Sequence, residues 1–377
     1  MSTSHGTSLE PRTEAFHGGA SFEAIGVSLN HLERAHQVVT ADVLDAWFDP
    51  SPRVIERIQE YLPLLARSSP PVRAAGLVAA IARRRGVPEA CVVTGCGSSG
   101  LIFACLPHLL RPDGRALILD PMYGEYQFLL ESVLGSDVVR FGVSPQNEFR
   151  VERDKIAEAV KRVRPDLIVV VNPNSPTGVH WPRAELTRFL DDVPDSINVV
   201  VDETYVEYAG SAESVEREAA QRRNLVVIKS MSKVYALSGM RVGYLVANPA
   251  LIQRLAPWVP PWSVSLPAQV AAIEALNDPL YYERRYQETR QLRDDLVRDL
   301  AAIDGIRVYG SVTNFLLIEV KSSSRIVNEV ARSGVYVRNC DSMTDRFKDR
   351  FIRIAVRNGD ENQRIAESLR AATRRFA

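Results

Sequence analysis

The chain reads as an α/β protein: a large domain with a mostly parallel sheet, followed by a smaller α+β domain. Three observations predict this. From Cys91 onward, short β-branched runs alternate with helix-period segments, the pattern of βαβ crossovers. Five of those runs end in polar or aromatic clusters, and an open parallel sheet binds ligands at the carboxyl ends of its strands. After Pro257-Trp258-Val259-Pro260-Pro261-Trp262 the composition shifts to one long charged helix and a mixture of short strands and helices.

The bulk composition bounds the function. A chain of 377 residues is long enough for one large and one smaller domain. Its 46% hydrophobic and 24% charged residues are ordinary for a soluble protein. Acids and bases balance at 46 each, which removes any electrostatic case for nucleic acid or an anionic membrane as partner. Cys91, Cys96, Cys105 and Cys340 form no C-x-x-C pair and read as reduced thiols. There is no signal-type apolar core at the start and no apolar run of 18 residues, so a soluble, cytoplasmic protein is expected.

Taken in order, residues 1–15 are polar and read as a flexible tail. In Phe16-His17-Gly18-Gly19, the glycines let backbone approach a ligand, although a surface turn with an incidental histidine fits equally. A strand-like run, Val38 to Leu44, leads into Asp45-Ala46-Trp47-Phe48-Asp49-Pro50-Ser51-Pro52, whose prolines end it before a helix. Helices are expected over 53–66 and 72–85, the second closing at Gly86. Cys91 to Thr94 is a strand, and Gly95-Cys96-Gly97-Ser98-Ser99-Gly100 opens a helix from Leu101 to Leu110. Such a turn offers free N–H groups and the positive end of the helix dipole to an anion, or is a plain capped turn. Strands follow at Ala116–Leu119 before Tyr123, at Leu167–Val171 before Asn174 and Ser175, at Val199–Val201 before Asp202 and Tyr205, and at Leu225–Ile228. A charged helix spans about Pro279 to Ile303. Beyond it come strands at 306–309 and 315–320, a helix near 325–333, strands at 335–338 and 351–356, and a helix from 360.

The last of the five strand ends carries most of the chemistry: Ser230-Met231-Ser232-Lys233, then Leu237-Ser238-Gly239-Met240-Arg241-Val242-Gly243-Tyr244. A lysine at a strand end, crowded by a fixed cation, has reason to be the reactive amine that Schiff-base chemistry needs. The serines and Arg241 supply donors that suit a phosphate monoester. The segment resembles the S-x-S-K-x-x-x-L-x-G-x-R-x-G-Y signature of fold-type I pyridoxal-phosphate (PLP) enzymes, the aspartate aminotransferase superfamily. The resemblance runs from about residue 40 to the end and implies a three-layer PLP-transferase-like large domain. The expected division is 16–52 as an N-terminal arm and small-domain segment, 53–262 as the cofactor-binding domain and 263–377 as the small domain.

The resemblance assigns roles to residues already singled out. Lys233 would bind the cofactor covalently and carry the proton at the substrate Cα. Ser98, Ser99, Ser230, Ser232 and Arg241 would hold the phosphate. Asp202, which alone reads as a helix N-cap, would pair with the pyridinium nitrogen. Tyr123, which alone reads as core packing, would cover the ring. Asn174, Ser175 or Tyr205 would bond the ring hydroxyl.

Within the superfamily the chain is similar to histidinol-phosphate aminotransferases and, equally, to L-threonine-O-3-phosphate decarboxylases. The shared marks are Asn172-Pro173-Asn174-Ser175-Pro176-Thr177-Gly178, Asp202-Glu203-Thr204-Tyr205, Asn314-Phe315 and Ile352-Arg353-Ile354-Ala355-Val356-Arg357. In that branch the arginine matching Arg353 holds the substrate carboxylate. His17-Gly18-Gly19, Pro261-Trp262-Ser263-Val264, Val337-Arg338-Asn339-Cys340 and Ala355-Val356-Arg357 lean towards the decarboxylases; His17, Arg338 and Arg357 would then form a second anion site, or be surface charges. Three departures stand out: Ser175 where most relatives have Asn, Ser69 where the branch presents a partner-subunit tyrosine, and Asp45 to Pro50 in place of an Asn-Glu-x-Pro-x-Gly loop. They imply retained cofactor chemistry on a substrate other than the two standard ones. The leading expectation is a homodimeric transaminase taking an amino-acid substrate and a 2-oxo acid. The alternatives are a decarboxylase of a phosphorylated or phosphonate amino acid, and a non-catalytic PLP-binding protein.

Overall fold

Seven strands form the larger sheet of the computed structural model, which describes residues 18–376, so the tail over 1–15 and His17 lie outside the described residues. In chain order the strands of the protein are β1 (Val39–Ala41), β2 (Val92–Gly95), β3 (Arg115–Asp120), β4 (Asp137–Gly142), β5 (Leu167–Val171), β6 (Asn198–Asp202), β7 (Leu225–Ser230), β8 (Gly243–Ala247), β9 (Arg307–Val308), β10 (Phe315–Glu319), β11 (Val335–Asn339) and β12 (Phe351–Ala355). The larger sheet runs β2-β8-β7-β6-β5-β3-β4. All its pairings are parallel except those of β8, which is antiparallel to both β2 and β7. Because β8 alone is reversed, the other six strands deliver their carboxyl ends to one edge. The interior strand β5, Leu-Ile-Val-Val-Val, is buried along its whole length, as a parallel strand covered on both faces must be.

The smaller sheet runs β1-β11-β12-β10-β9, with β1 parallel to β11 and the rest antiparallel. The N-terminal segment therefore contributes a strand, Val39–Ala41, to it. The helix Pro279–Ala301 packs beside β9, β10 and the C-terminal helix Gly359–Phe376. It also reaches the helical turn Met231–Val234 that follows β7, where Tyr286 Oη donates to Val234 O at 2.8 Å.

Several expected elements need correction. β4 and β8 carry no separate signal in the sequence: β4 is a half-exposed sheet edge, and β8 begins inside the lysine segment. The helix expected over 72–85 starts at Ala75, because Arg73 and Ala74 take positive φ (56° and 49°) behind Pro70-Pro71 and Arg73 N bonds Pro261 O. The helix expected from Leu101 to Leu110 spans Gly97–Cys105 and gives way to a tight turn at Leu106–His108, where Pro107 has no N–H to continue it. Of the run Val38 to Leu44, only Val39–Ala41 pairs as strand. Gly86 closes its helix in the left-handed conformation as expected, φ 68°. No helix among the described residues is long and apolar enough to cross a membrane.

Candidate active site at the strand ends

The carboxyl ends of β2, β3, β5, β6 and β7 enclose a cavity of about 150 Å³. Ser98 and Ser99 reach it from the turn after β2, Tyr123 from β3, Ser175 from β5, Asp202 and Tyr205 from β6, and Ser230, Ser232 and Lys233 from β7; Arg241 and Arg353 complete the charged lining. A larger groove of about 980 Å³ lies at the amino ends of β5 and β6, and brings none of these residues together.

One end of the cavity is built for an anion. The helix Gly97–Cys105 points its N-terminus inward, and two glycines allow close approach there. Gly97 has φ +73°, and a Cβ on it would lie 2.5 Å from Arg241 Nη2. A Cβ on Gly243 would lie 2.7 Å from Ser98 N and 2.8 Å from Lys229 O. The register explains the second case: Gly243 on β8 sits between Gly95 on β2 and Ser230 on β7. Arg241 Nη1 donates to Ser238 O at 2.9 Å and to Ser232 Oγ at 3.4 Å. Ser99 Oγ donates to Glu125 Oε1 at 2.7 Å.

At the opposite wall Asp202 is 1% exposed. Tyr126 Oη donates to its Oδ2 at 2.9 Å, and Thr204 N and Oγ1 donate to its Oδ1 at 3.0 and 2.6 Å. Burial pushes the carboxyl up, and the Thr204 and Tyr126 donors only partly offset that. Tyr123 stands edge-on to Tyr126, ring centroids 6.3 Å apart. Burial, and then the neighbouring Glu125, hold its hydroxyl in the neutral form, well above the ordinary tyrosine range.

Lys233 lies in the short helical turn Met231–Val234, capped by Ser230 Oγ accepting from Ser232 N. Three tyrosine hydroxyls fasten this turn by its carbonyls: Tyr208 to Lys233 O (3.0 Å), Tyr286 to Val234 O (2.8 Å) and Tyr282 to Tyr235 O (3.3 Å). The expected neighbour of the lysine was a cation, but its direct contact is a carboxylate. Nζ donates to Asp45 Oδ1 at 2.6 Å, and Ser238 Oγ donates to the same oxygen at 2.6 Å. Arg241 is turned instead towards Gly97 and Ser238 O. Behind the turn, Lys229 is 1% exposed among Glu207 (2.8 Å), Glu203 (3.4 Å) and Glu216 (3.9 Å), with Arg85 also on Glu207 and Glu216. Burial pushes the Glu203 carboxyl up, to about 7, against the pull of Lys229.

Arg353 on β12 donates from Nη1 to Ser175 Oγ (3.1 Å) and from Nη2 to Asp42 O (3.2 Å), with its guanidinium over the Phe315 ring. Ser175 is thereby engaged with the arginine. Asn174 Nδ2 donates to Pro121 O at 3.0 Å, while its Oδ1 is buried with no partner among the described residues. Arg338 pairs with Arg353 in register across β11 and β12 and donates to Ser342 Oγ at 3.3 Å; burial, then the Arg353 charge, push it down to about 10. Arg357 turns to Asp45 O (3.3 Å) and Glu361 (3.4 Å). Asp45, Tyr126, Thr204 and Ser238 were not singled out from the sequence. Asp45 stood there only as part of an altered loop, and Tyr126 follows Tyr123 by one helical turn, the single available hint.

The model of the aminotransferase class I and II family matches residues 42–369. The chain belongs to the class I and II aminotransferase family. Among relatives of this family member, "Histidinol-phosphate aminotransferase 2" of Archaeoglobus fulgidus is 32% identical over 327 residues, 86% of this chain and 90% of its own length. The "Histidinol-phosphate aminotransferase" of Moorella thermoacetica is 29% identical over 325 residues, 85% of this chain and 82% of its own. Among solved structures, the histidinol-phosphate aminotransferase of Sinorhizobium meliloti in complex with pyridoxal-5'-phosphate superposes with a TM-score of 0.84 at 23% identity, covering 100% of both chains. The L-threonine-O-3-phosphate decarboxylase of Porphyromonas gingivalis gives 0.73 at 23% identity, covering 86% of this chain and 97% of its own. At those identities the structures establish a shared fold, the one implied by the lysine segment.

Proposed function

We propose that this aminotransferase family member is a PLP-dependent transaminase of histidinol-phosphate aminotransferase type, acting on an α-amino acid or amino-phosphate substrate with a 2-oxo acid as acceptor. The observation that carries the reading is Lys233 Nζ opening on the same small cavity as a phosphate-type donor set and the buried Asp202 carboxylate. The residues fit the cofactor. The Gly97 and Gly243 positions leave a cradle that a Cβ would fill, Asp202 is a buried carboxylate that a cationic ring nitrogen would stabilise, and Asn174 Oδ1 is a buried acceptor that a ligand hydroxyl would satisfy.

When bound, the cofactor supplies an electron sink for charge developing at the substrate Cα. Ser98, Ser99, Ser230, Ser232 and Arg241 bind the phosphate, Tyr123 covers the ring, and Asn174, Ser175 or Tyr205 faces the ring hydroxyl. Lys233 moves the proton at Cα. Arg353 orients the substrate carboxylate. The Arg338–Arg353 pairing favours a second reading, decarboxylation of an amino acid with a distal phosphate, for which Arg338 and Arg357 would supply positive charge. In this reading 53–262 is the cofactor-binding unit, with 16–52 and 263–377 as the small one. The protein works as a cytoplasmic homodimer; the exposed Tyr61, Leu62 and Leu64 of helix Pro52–Arg67, with Trp258 and Trp262, support a buried partner face.

The test starts with PLP and borohydride, which should fix a phosphopyridoxyl mass on the peptide containing Lys233. A panel of amino acids, histidinol phosphate and threonine phosphate with 2-oxo acids should then yield keto product. Carbon dioxide release would select the decarboxylase, no turnover a non-catalytic binder, and no fixation would overturn the cofactor assignment. Gly97→Ala should weaken PLP binding roughly 10- to 100-fold in a fluorescence titration, since displacing Arg241 costs a charge-assisted bond of about 1.5–3 kcal/mol. Unchanged affinity would remove the cradle from the argument.

A further inference from the structure

Ser98, Ser99, Asp202, Arg241 and Arg353 each have a role in the proposed chemistry, and Asp45, which touches the reactive amine, has none. We propose that Asp45 is the resident counter-ion of Lys233, holding it as an ammonium and governing when its amine can capture the cofactor. The proposal rests on the PLP reading above.

Its geometry is that of a built contact. Asp45 Oδ1 accepts from Lys233 Nζ and from Ser238 Oγ, each at 2.6 Å. The loop carrying it is clamped on both sides. Asn314 Nδ2 donates to Leu44 O (3.0 Å), Tyr281 Oη to Asp49 O (2.7 Å), Trp47 Nε1 to Thr289 Oγ1 (2.9 Å) and Ser51 N to Tyr282 Oη (3.1 Å). The other charged or titratable groups facing the pair are Arg357 from the segment after β12 and Tyr205 from the end of β6, with Asp202, Arg241 and Arg353 across the cavity. Among these, Asp45 alone is a carboxylate in contact with Nζ. Burial would raise its carboxyl, but the Lys233 charge and hydrogen bond outweigh that and hold it below the usual range.

The consequence follows from the chemistry of the amine. An ammonium has no lone pair, so Nζ must lose a proton to solvent before it can attack. Nζ then forms a C=N bond to the aldehyde carbon, and the aldehyde oxygen leaves as water. The ion pair stabilises the form that cannot attack, so breaking it precedes capture. Asp45 is thus a positioning residue whose effect shows in the pH at which capture becomes fast.

The experiment mixes apoprotein with PLP across a pH series, quenches with borohydride and reads the mass of the Lys233 peptide. Asp45→Asn should capture about tenfold faster at neutral pH, with the rise displaced about one unit to lower pH, the equivalent of that factor. Asp45→Glu should keep the parental profile. Ser238→Ala, which leaves Lys233 as the carboxylate's only side-chain hydrogen-bond partner among the described residues, should slow capture and displace the rise to higher pH. Thermal melts check that each variant is folded. Coincident profiles for parent and Asp45→Asn, or slower capture in that variant, overturn the proposal; if Asp45→Asn does not fold, an unmoved Ser238→Ala profile does so. Capture in none of the proteins overturns the cofactor reading, and this inference falls with it.

Discussion

Lys233→Ala abolishes covalent capture of PLP and lowers turnover by at least about 10⁴-fold, the upper end of what a positioned acid–base group contributes. In the proposed chemistry the amine would be both the anchor for the cofactor and the carrier of the substrate proton, so one substitution would remove two functions. The serines, Arg241 and Asp202 of the proposed cofactor site are untouched by the change, which should leave weak non-covalent PLP binding measurable by dialysis. The helical turn itself is fastened through backbone carbonyls by Tyr208, Tyr282 and Tyr286, so the variant should melt close to the parent. The deciding comparison is borohydride fixation against equilibrium PLP binding. A variant that still fixes cofactor at another lysine would place the reactive amine elsewhere.

Lys229→Met gives the largest loss of stability, about 3–5 kcal/mol, because it strands carboxylates, Glu203 above all, that the structure buries around Lys229 and Arg85. Glu203, Glu207 and Glu216 all lie within 4 Å of Lys229 Nζ, whereas Arg85 pairs with Glu207 and Glu216, which leaves Glu203 the most dependent on Lys229. Ser214 Oγ and Val215 N still donate to Glu203, which limits the loss without cancelling it. For a chain of this size the melting temperature should fall by roughly 4–6 °C. A shift of less than about 1 °C would mean that the cluster tolerates an uncompensated charge, contrary to the desolvation argument.

What the sequence revealed and what it concealed divide along sequence distance. Ser230, Ser232, Lys233 and Arg241 lie within one segment, and Asp202, Tyr123 and Ser98 each sit immediately at or after a β-branched run, so strand-end logic found them. The interactions that were missed join distant segments. Lys233 meets Asp45 across 188 residues, and Asp202 meets Tyr126 across 76. Lys229 fell between the expected strand Leu225–Ile228 and the lysine segment and carried no expectation; the packing of helix Ala75–Arg85 and the segment after β6 against it makes it a buried ion. Strand β8 was hidden because its first residues, Gly243-Tyr244, served a motif and a strand at once. Arg357 and Arg338 were legible as cations, but not the partners they take: Asp45 O and Glu361 for one, Ser342 and the cross-strand Arg353 for the other.

The 23-residue helix Pro279–Ala301 spans about 35 Å. Near its start, Tyr282 and Tyr286 grip the peptide that carries Lys233, and Tyr281 and Thr289 hold the loop that carries Asp45. Its far end packs against the sheet that carries Arg353. The amine and the guanidinium belong to different sheets, yet they share this one stiff strut. Their spacing is therefore set like the jaws of a caliper, by a rod lying outside the gap it measures.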